Sequence, residues 1–286
     1  MRLVRSLGTA VVALVVAVGC SGNGSQTGSV PVPDVAQQVR TAYAKTVEAR
    51  TAKTDLDVRV VLGANAQQFD VSGSGLIDFA GRNATLMLRL PGDAGISEVR
   101  FLGGVAYLRL PLQLALLSGG TSWVSLDVSK LLQQQFGASL GQLVPNTPTN
   151  PADVLEFTQG KVEDVTVVGP DMVAGAPTTR YKATFDFKET AAQQNPGAQL
   201  AIQRLIQQLG VSKLPAELWI DHNGRFRKLM VTVMLAHSPT DAQRSPATIT
   251  TTQTLSDFGI PVQVMAPPPN QVVDLGVLLS SVAPPR

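Results

Sequence analysis

The sequence predicts an α+β domain: a large antiparallel sheet with helices packed on one face. Three observations carry this. Apolar residues alternate with polar ones, at a period of two, over most of the chain after Asp34. Hairpin-length turns separate neighbouring segments, which favours antiparallel pairing. A few stretches switch to helical spacing, each bounded by a capping residue or by proline or glycine.

The first helix is expected from Asp34, a capping residue, to about Arg50. Val35, Val39, Ala42, Tyr43 and Val47 fall on one face, while Gln37, Arg40, Lys45 and Glu48 lie away from it. The strands begin with Leu56–Leu62, where apolar residues alternate with Asp57 and Arg59. They continue with Phe69–Phe79 and with Ala84–Leu90 beyond a turn at Gly81-Arg82-Asn83. Gly73 and Gly75 sit inside the second of these, where glycine marks a bend, a bulge or a close approach. Glu98–Leu102 and Val105–Leu110 form a hairpin over Gly103-Gly104, and Trp123–Asp127 is a further strand.

A helix follows from Ser129, with Leu131, Leu132, Phe136, Leu140 and Leu143 on one side. The Pro145–Pro151 loop leads to a helix from Asn150-Pro151 to Gly160. Val162–Val168 is expected to end at a turn, Gly169-Pro170-Asp171. Thr179 to Lys188 shows the cleanest alternation in the chain. Asn195-Pro196 opens a helix with Leu200, Leu205, Ile206 and Leu209. Leu218–Asp221 and Phe226–Leu235 pair across His222-Asn223-Gly224, and Ile249–Leu255 is the last strand. Pro267-Pro268-Pro269 stops regular structure, and Val272–Leu279 is expected to be helical. About eleven strands and four or five helices make one domain over 34–286.

The N-terminus has its own logic. Arg2 and Arg5 precede an uncharged apolar run, Leu7–Val18, too short to span a bilayer but suited to a secretory signal. Ala17-Val18-Gly19-Cys20 then resembles the bacterial lipobox. It implies a signal peptide over 1–19, cleavage before Cys20 and acylation of Cys20 by diacylglyceryl and palmitate-type chains. Cys20 is the only cysteine, so no internal disulfide exists, and a polar tether follows it over 20–33. The Ser21–Pro33 coil would reach roughly 20 Å. The expected location is the cell membrane, lipid-anchored, on the extracytoplasmic face.

Charged residues make up 15% of the 286-residue chain and hydrophobic residues 44%, with aromatics only 5%. Such a chain can fill a core and keep aliphatic surface to line a cavity. The net charge is +2 without a Lys/Arg cluster, which argues against nucleic acid as a partner. The catalytic inventory is thin. His222 suits a hairpin turn and His237 sits just past a strand. Asp127 and Asp221 read as strand-end acids rather than a carboxylate pair. No nucleophile elbow, metal-binding histidine pair or phosphate loop occurs. No enzyme activity, metal or cofactor is expected.

Four local motifs stand in order: Gly103-Gly104-Val105-Ala106-Tyr107-Leu108, Trp123-Val124-Ser125-Leu126-Asp127, Leu218-Trp219-Ile220-Asp221-His222-Asn223-Gly224, and Leu255-Ser256-Asp257-Phe258-Gly259-Ile260-Pro261-Val262. With Ala266-Pro267-Pro268 and Val273-Asp274, they resemble the actinobacterial LppX/LprA/LprF/LprG lipoprotein family. That resemblance implies a strongly curved sheet, a half-barrel, with helices on its concave face and acyl chains of cell-envelope lipids between them. It implies lipid binding or transport, a lipid or glycolipid ligand, and a handover to a transporter or acceptor lipoprotein. A monomer is expected. The alternative is an envelope scaffold with a filled core and no lipid.

Candidate cavity-lining residues are Val58, Val60, Val71, Ile77, Leu86, Leu88, Tyr181, Phe185, Leu229 and Val231 from strands, with Phe136, Leu205, Leu209 and Leu132 from helices.

Overall fold

The helix α1, Val35–Glu48, starts where the sequence places it. The carboxylate of Asp34 accepts the Ala36 N–H at 3.1 Å and so caps the first turn. Lys45 lies in the last turn, where a cation suits the helix dipole, and bonds Glu48 at 2.9 Å. Arg50 then takes a left-handed φ of 67° and turns the chain into the first strand. The computed structural model describes residues 34–63, 67–89, 95–111, 121–127, 155, 158, 161–186, 188, 206, 212–235 and 246–277. All belong to the compact unit Asp34–Arg286.

The strands are β1 (Thr51–Leu62), β2 (Gln67–Asp78), β3 (Asn83–Arg89), β4 (Ile96–Leu102), β5 (Val105–Arg109), β6 (Trp123–Asp127), β7 (Lys161–Val173), β8 (Ala176–Asp186), β9 (Lys213–Asp221), β10 (Phe226–Leu235), β11 (Ala247–Ser256) and β12 (Val272–Asp274). They form one twelve-stranded sheet in the order β12-β6-β5-β4-β3-β2-β1-β11-β10-β9-β8-β7. β1 to β6 form one antiparallel meander and β7 to β11 another, joined where β1 pairs with β11. The sheet is not closed, since β12 and β7 stand at opposite ends of the order.

The turns are those the sequence marks. Gly103 and Gly104 take φ of 56° and 83° at the β4–β5 hairpin, and Arg82 takes 53° between β2 and β3.

The core lies on one face. Ile77, Ala84, Tyr181, Phe185, Leu218, Leu229 and Leu255 are buried there with Val39 and Ala42 of α1. Burying each large side chain contributes about 1.5–3 kcal/mol. Two polar contacts fix α1 on this face: the Tyr181 hydroxyl donates to Gln38 Oε1 at 2.8 Å, and the Phe226 N–H donates to Thr46 Oγ1 at 2.9 Å. Leu155 is also part of the core.

Two expectations are corrected. β7 does not stop at Gly169-Pro170-Asp171 but runs to Val173, and the chain reverses at Ala174-Gly175, with φ of 48° and 76°. A bulge between Val167 and Gly169 absorbs the glycine. Pro170 is tolerated because β7 lies at the end of the strand order, where one side of the ladder is not needed. Val272–Asp274, expected to be helical, instead pairs in parallel with Trp123–Ser125 of β6. Two β-branched valines beside an open strand favour extension. The helices expected from Ser129 and from Asn195, and most of that from Asn150, lie outside the described residues.

Between β11 and β12 the chain crosses the sheet as a strap. Thr51 Oγ1 donates to the Ile260 carbonyl at 2.6 Å, and Arg100 Nη1 donates to the Met265 carbonyl at 2.9 Å. Thr51 and Arg100 both point away from the core face.

Candidate functional site

Cross-strand register decides which side chains share a face, because directly paired residues point the same way. Starting from Val58 of β1, its partners are Val71 and Thr251. Following the pairs outward puts Val60, Ile77, Leu86, Leu88, Tyr181, Phe185, Leu229 and Val231 on that same face. The strand residues singled out in the sequence are thus brought together on the core-bearing side. Phe136, Leu205, Leu209 and Leu132 lie outside the described residues, as does Cys20.

The composition of this face is its main chemical property. Across β1 to β6 and β8 to β11, every residue in register with Val58 is uncharged. The set runs from Val124 and Leu126 on β6, through Phe101, Leu88, Val71 and Leu56, to Ile249, Val233, Leu214 and Ala183. The charged residues of these strands, among them Asp57, Arg59, Asp70, Arg89, Glu98, Arg109, Lys182, Glu217 and Lys228, point to the other side. Among the polar exceptions, buried Gln253 donates from Nε2 to Thr54 Oγ1 at 3.3 Å.

The face has two zones. Near the start of β1 it is sealed: Ala52, Ile77, Leu218, Phe226 and Leu255 are at most 5% exposed or fully buried. Toward the end of β1, Leu56, Val58, Val60, Val71, Leu88, Val233 and Ile249 are only half-buried and Phe69 is 37% exposed, while Val231, Leu235 and Ala247 beside them are buried. Gly73 and Gly75 lie on this face between the zones. A Cβ at Gly75 would stand 1.9 Å from the Thr85 carbonyl oxygen, and one at Gly73 2.4 Å from Leu88 Cδ2. The two glycines let β3 close over β2 at this point, as a bending sheet requires.

The opposite face is polar and braced. Trp219 lies between the guanidinium of Arg180 (5.1 Å) and the ammonium of Lys228 (4.5 Å), and its indole N–H donates to Asp171 at 2.7 Å. That bond, with a further one from the Met172 N–H, holds the Asp171 carboxyl below its ordinary range. Trp123 is covered by Arg100 at 4.7 Å. A shallow depression of about 330 Å³ on this side is lined by Lys182, Thr184, Glu217, Met230 and Thr232.

Asp221 has a fully buried carboxylate. It accepts from the Asn223 and Arg225 N–H groups and from the guanidinium groups of Arg225 and Arg227, which both stack on Phe258 at 4.5 and 4.8 Å. Burial pushes the Asp221 carboxyl up, but the Arg225 N–H and the two guanidinium groups outweigh it and leave it lowered. His222 is exposed in the adjoining turn. Among the described residues no group of His, Cys, Asp or Glu could hold a metal ion. His237 lies outside them.

No protein-family model and no curated protein matches the chain. Similarity to solved structures exists. The lipoprotein LppX of Mycobacterium tuberculosis is 16% identical with a TM-score of 0.45, over 82% of this chain and 100% of that one. LprF of Mycobacterium bovis is 14% identical with a TM-score of 0.39, over 83% of this chain and 98% of that one. A LolA superfamily protein of Nitrosomonas europaea is 10% identical with a TM-score of 0.30, over 80% and 93%. Each likeness is distant in sequence and in superposition, and no ligand or activity follows from it.

The core face presents aliphatic and aromatic surface to whatever lies over it. The Asp221 knot and the strap were missed at the sequence level. The knot had a readable signal in Asp221 followed by Arg225 and Arg227 around a hairpin; the strap had none.

Proposed function

We propose that this chain is a membrane-anchored lipoprotein that binds or transports acyl chains of cell-envelope lipids in a hydrophobic cavity over the core face of its sheet. The observation that carries this reading is the uncharged face from β6 to β8, half-buried at one end. The lipobox at Cys20 and the family motifs support it. Of the candidate lining set, Val58, Val60, Val71 and Leu88 supply half-buried surface, while Ile77, Leu86, Tyr181, Phe185, Leu229 and Val231 are buried and form its floor toward the core; Phe136, Leu205 and Leu209 are proposed to join it from helices on the concave side of a half-barrel.

Each buried methylene is worth about 0.8 kcal/mol, so one long acyl chain amounts to roughly 12 kcal/mol. Release into water is then slow, and delivery calls for a handover partner such as a transporter or an acceptor lipoprotein. The protein works as a monomer at the extracytoplasmic face of the cell membrane and has no catalytic role.

The test is uptake of labelled lipid by the domain lacking its anchor, together with native mass spectrometry of protein from its own host. Co-purifying lipid and saturable uptake are expected. Neither appearing would overturn the reading. The sealed zone around Phe226 and Leu255 favours a second reading, an envelope scaffold with a filled core, which predicts the absence of both.

A further inference from the structure

The sheet has a fault on its polar side. β9 and β10 pair only as far as Ala216 and Val231. Beyond that point Pro215, Leu214 and Lys213 pair with β8 alone, and Thr232 to Leu235 pair with β11 alone. Pro215 has no N–H to give a neighbouring strand, and proline is rare inside a sheet. The two strands part there. The depression of about 330 Å³ lies over the parting, with Pro215 on one side and Met230 and Thr232 on the other. Its volume falls within the range of small-ligand sites, about 300–1,000 Å³.

A second irregularity faces the same place. In β7, Glu163 pairs with Thr184 and Thr166 with Lys182, so Asp164 and Val165 together oppose Ala183. This bulge separates the two side chains: Val165 packs on the core, and Asp164 lines the depression at a left-handed φ of 51°. That conformation is unfavourable for a residue with a Cβ. Among the described residues Asp164 makes no hydrogen bond or ion pair that would offset it. A proline inside the sheet and a strained carboxylate beside it break two local rules at one spot, and such breaks gather at functional sites.

The lining sets the chemistry of the ligand. Lys182, Glu217 and Met230 stand in register across β8, β9 and β10. Glu217 is engaged by its neighbour, accepting from Arg180 Nε at 2.8 Å. Lys182 Nζ stands 3.9 Å from Glu217 Oε1, beyond hydrogen-bond distance. Asp164 and Lys182 are thus the charges turned to a ligand, one of each sign. An anion such as a phosphate would meet Asp164, and a cationic amine would meet Lys182. Thr184 and Thr232 add hydroxyls, which both donate and accept, while Pro215 and Met230 add apolar surface. Balanced charge, hydroxyls and an apolar floor suit a neutral ring with C–H groups on its faces and hydroxyls at its edge.

We infer that this depression binds a neutral, polyhydroxylated ligand the size of a sugar ring, with Asp164 accepting from its hydroxyls and Lys182 donating to them. The site lies on the face opposite the proposed lipid surface and does not depend on that reading.

The test is an NMR titration of backbone amides in the mature chain from residue 20, carrying Cys20→Ser. The neutral probes are methyl α-D-glucopyranoside, methyl α-D-mannopyranoside and N-acetylglucosamine; the charged ones are glycerol phosphate and ethanolamine. Saturable shifts at Asp164, Lys182, Thr184, Ala216 and Thr232 are expected with at least one neutral probe, at a Kd on the order of 1 mM for so small a ligand. Asp164→Gly suits the left-handed backbone, so it should melt no lower than the wild type yet bind about tenfold more weakly. Lys182→Met, at an exposed position, should weaken binding to a similar degree and reports even if Asp164→Gly folds poorly. Absence of saturable shifts with every neutral probe, tighter binding of either charged probe, or wild-type affinity in both variants would overturn the inference. Uptake of labelled lipid is measured alongside. It should be the same in wild type and Asp164→Gly; a lower uptake in the variant would overturn the separateness of the two faces.

Discussion

Gly75→Ala tests the bend in the sheet by the sign of its effect. In most extended positions with negative φ, replacing glycine by alanine stabilises a protein by about 0.4–1 kcal/mol, because the unfolded chain loses freedom. Gly75 is not among the positive-φ glycines, so alanine brings no backbone strain of its own. The obstacle is packing. The added Cβ would stand 1.9 Å from the Thr85 carbonyl oxygen and 2.8 Å from Leu86 Cα. A relaxed C···O approach is about 3.3 Å, so β3 must retreat by more than 1 Å. Retreat breaks the ladder around the Gly75–Leu86 pair, at about 1 kcal/mol per hydrogen bond. It also loosens Leu86, which is 1% exposed, and so forfeits part of about 1.5–3 kcal/mol. The expected loss is about 2–4 kcal/mol, out of a total stability of about 5–15. In urea the midpoint should fall by about 1 M. Ser74→Ala, exposed on the opposite face, serves as the control and should stay within about 0.5 kcal/mol. A Gly75→Ala variant as stable as the wild type, or more so, would show that β2 and β3 do not approach this closely.

Asp221→Asn should cost about 2 kcal/mol in chemical unfolding, since it weakens charge-assisted bonds from Arg225 and Arg227. The folded-state carboxyl is lowered, so its contribution is full above the unfolded value of about 3.9 and is lost as pH falls through the lower folded value; melting temperature against pH should show that acid loss in the wild type and a smaller one in the variant. Trp219→Phe removes the indole donor to Asp171, so an NMR titration should find the Asp171 carboxyl moved up toward its ordinary value. Val60→Asp puts a charge on the half-buried, uncharged zone and should weaken lipid uptake about tenfold, the worth of roughly two methylenes, with the far-ultraviolet spectrum unchanged. Cys20→Ser should release the protein from membranes while uptake by the domain persists; fractionation and the uptake assay separate the two.

Period-two alternation was readable because one face of the sheet excludes charge. Thr179–Asp186 alternates cleanly because β8 lies between β7 and β9 with Tyr181 and Phe185 turned to the core. The same patterning picked out Val58, Val60, Val71 and Leu88 as face-mates, since register follows from the apolar set. It failed where position in the sheet overrides local preference. Gly169-Pro170-Asp171 has turn composition, yet at the end of the strand order a bulge carries the strand through it. Val272–Asp274 is too short for periodicity to decide, and only the open side of β6 makes it a strand. The Phe258 stack on Arg225 and Arg227 joins residues far apart in sequence, and nothing local announces it.

The lipid-carrier function requires that the uncharged face hold lipid. Native mass spectrometry of the domain, purified without denaturant from its own host, measures this directly. A discrete added mass that dissociates as an acyl lipid and is diminished in Val60→Asp is expected. Protein of bare sequence mass that also fails to take up labelled lipid would contradict it.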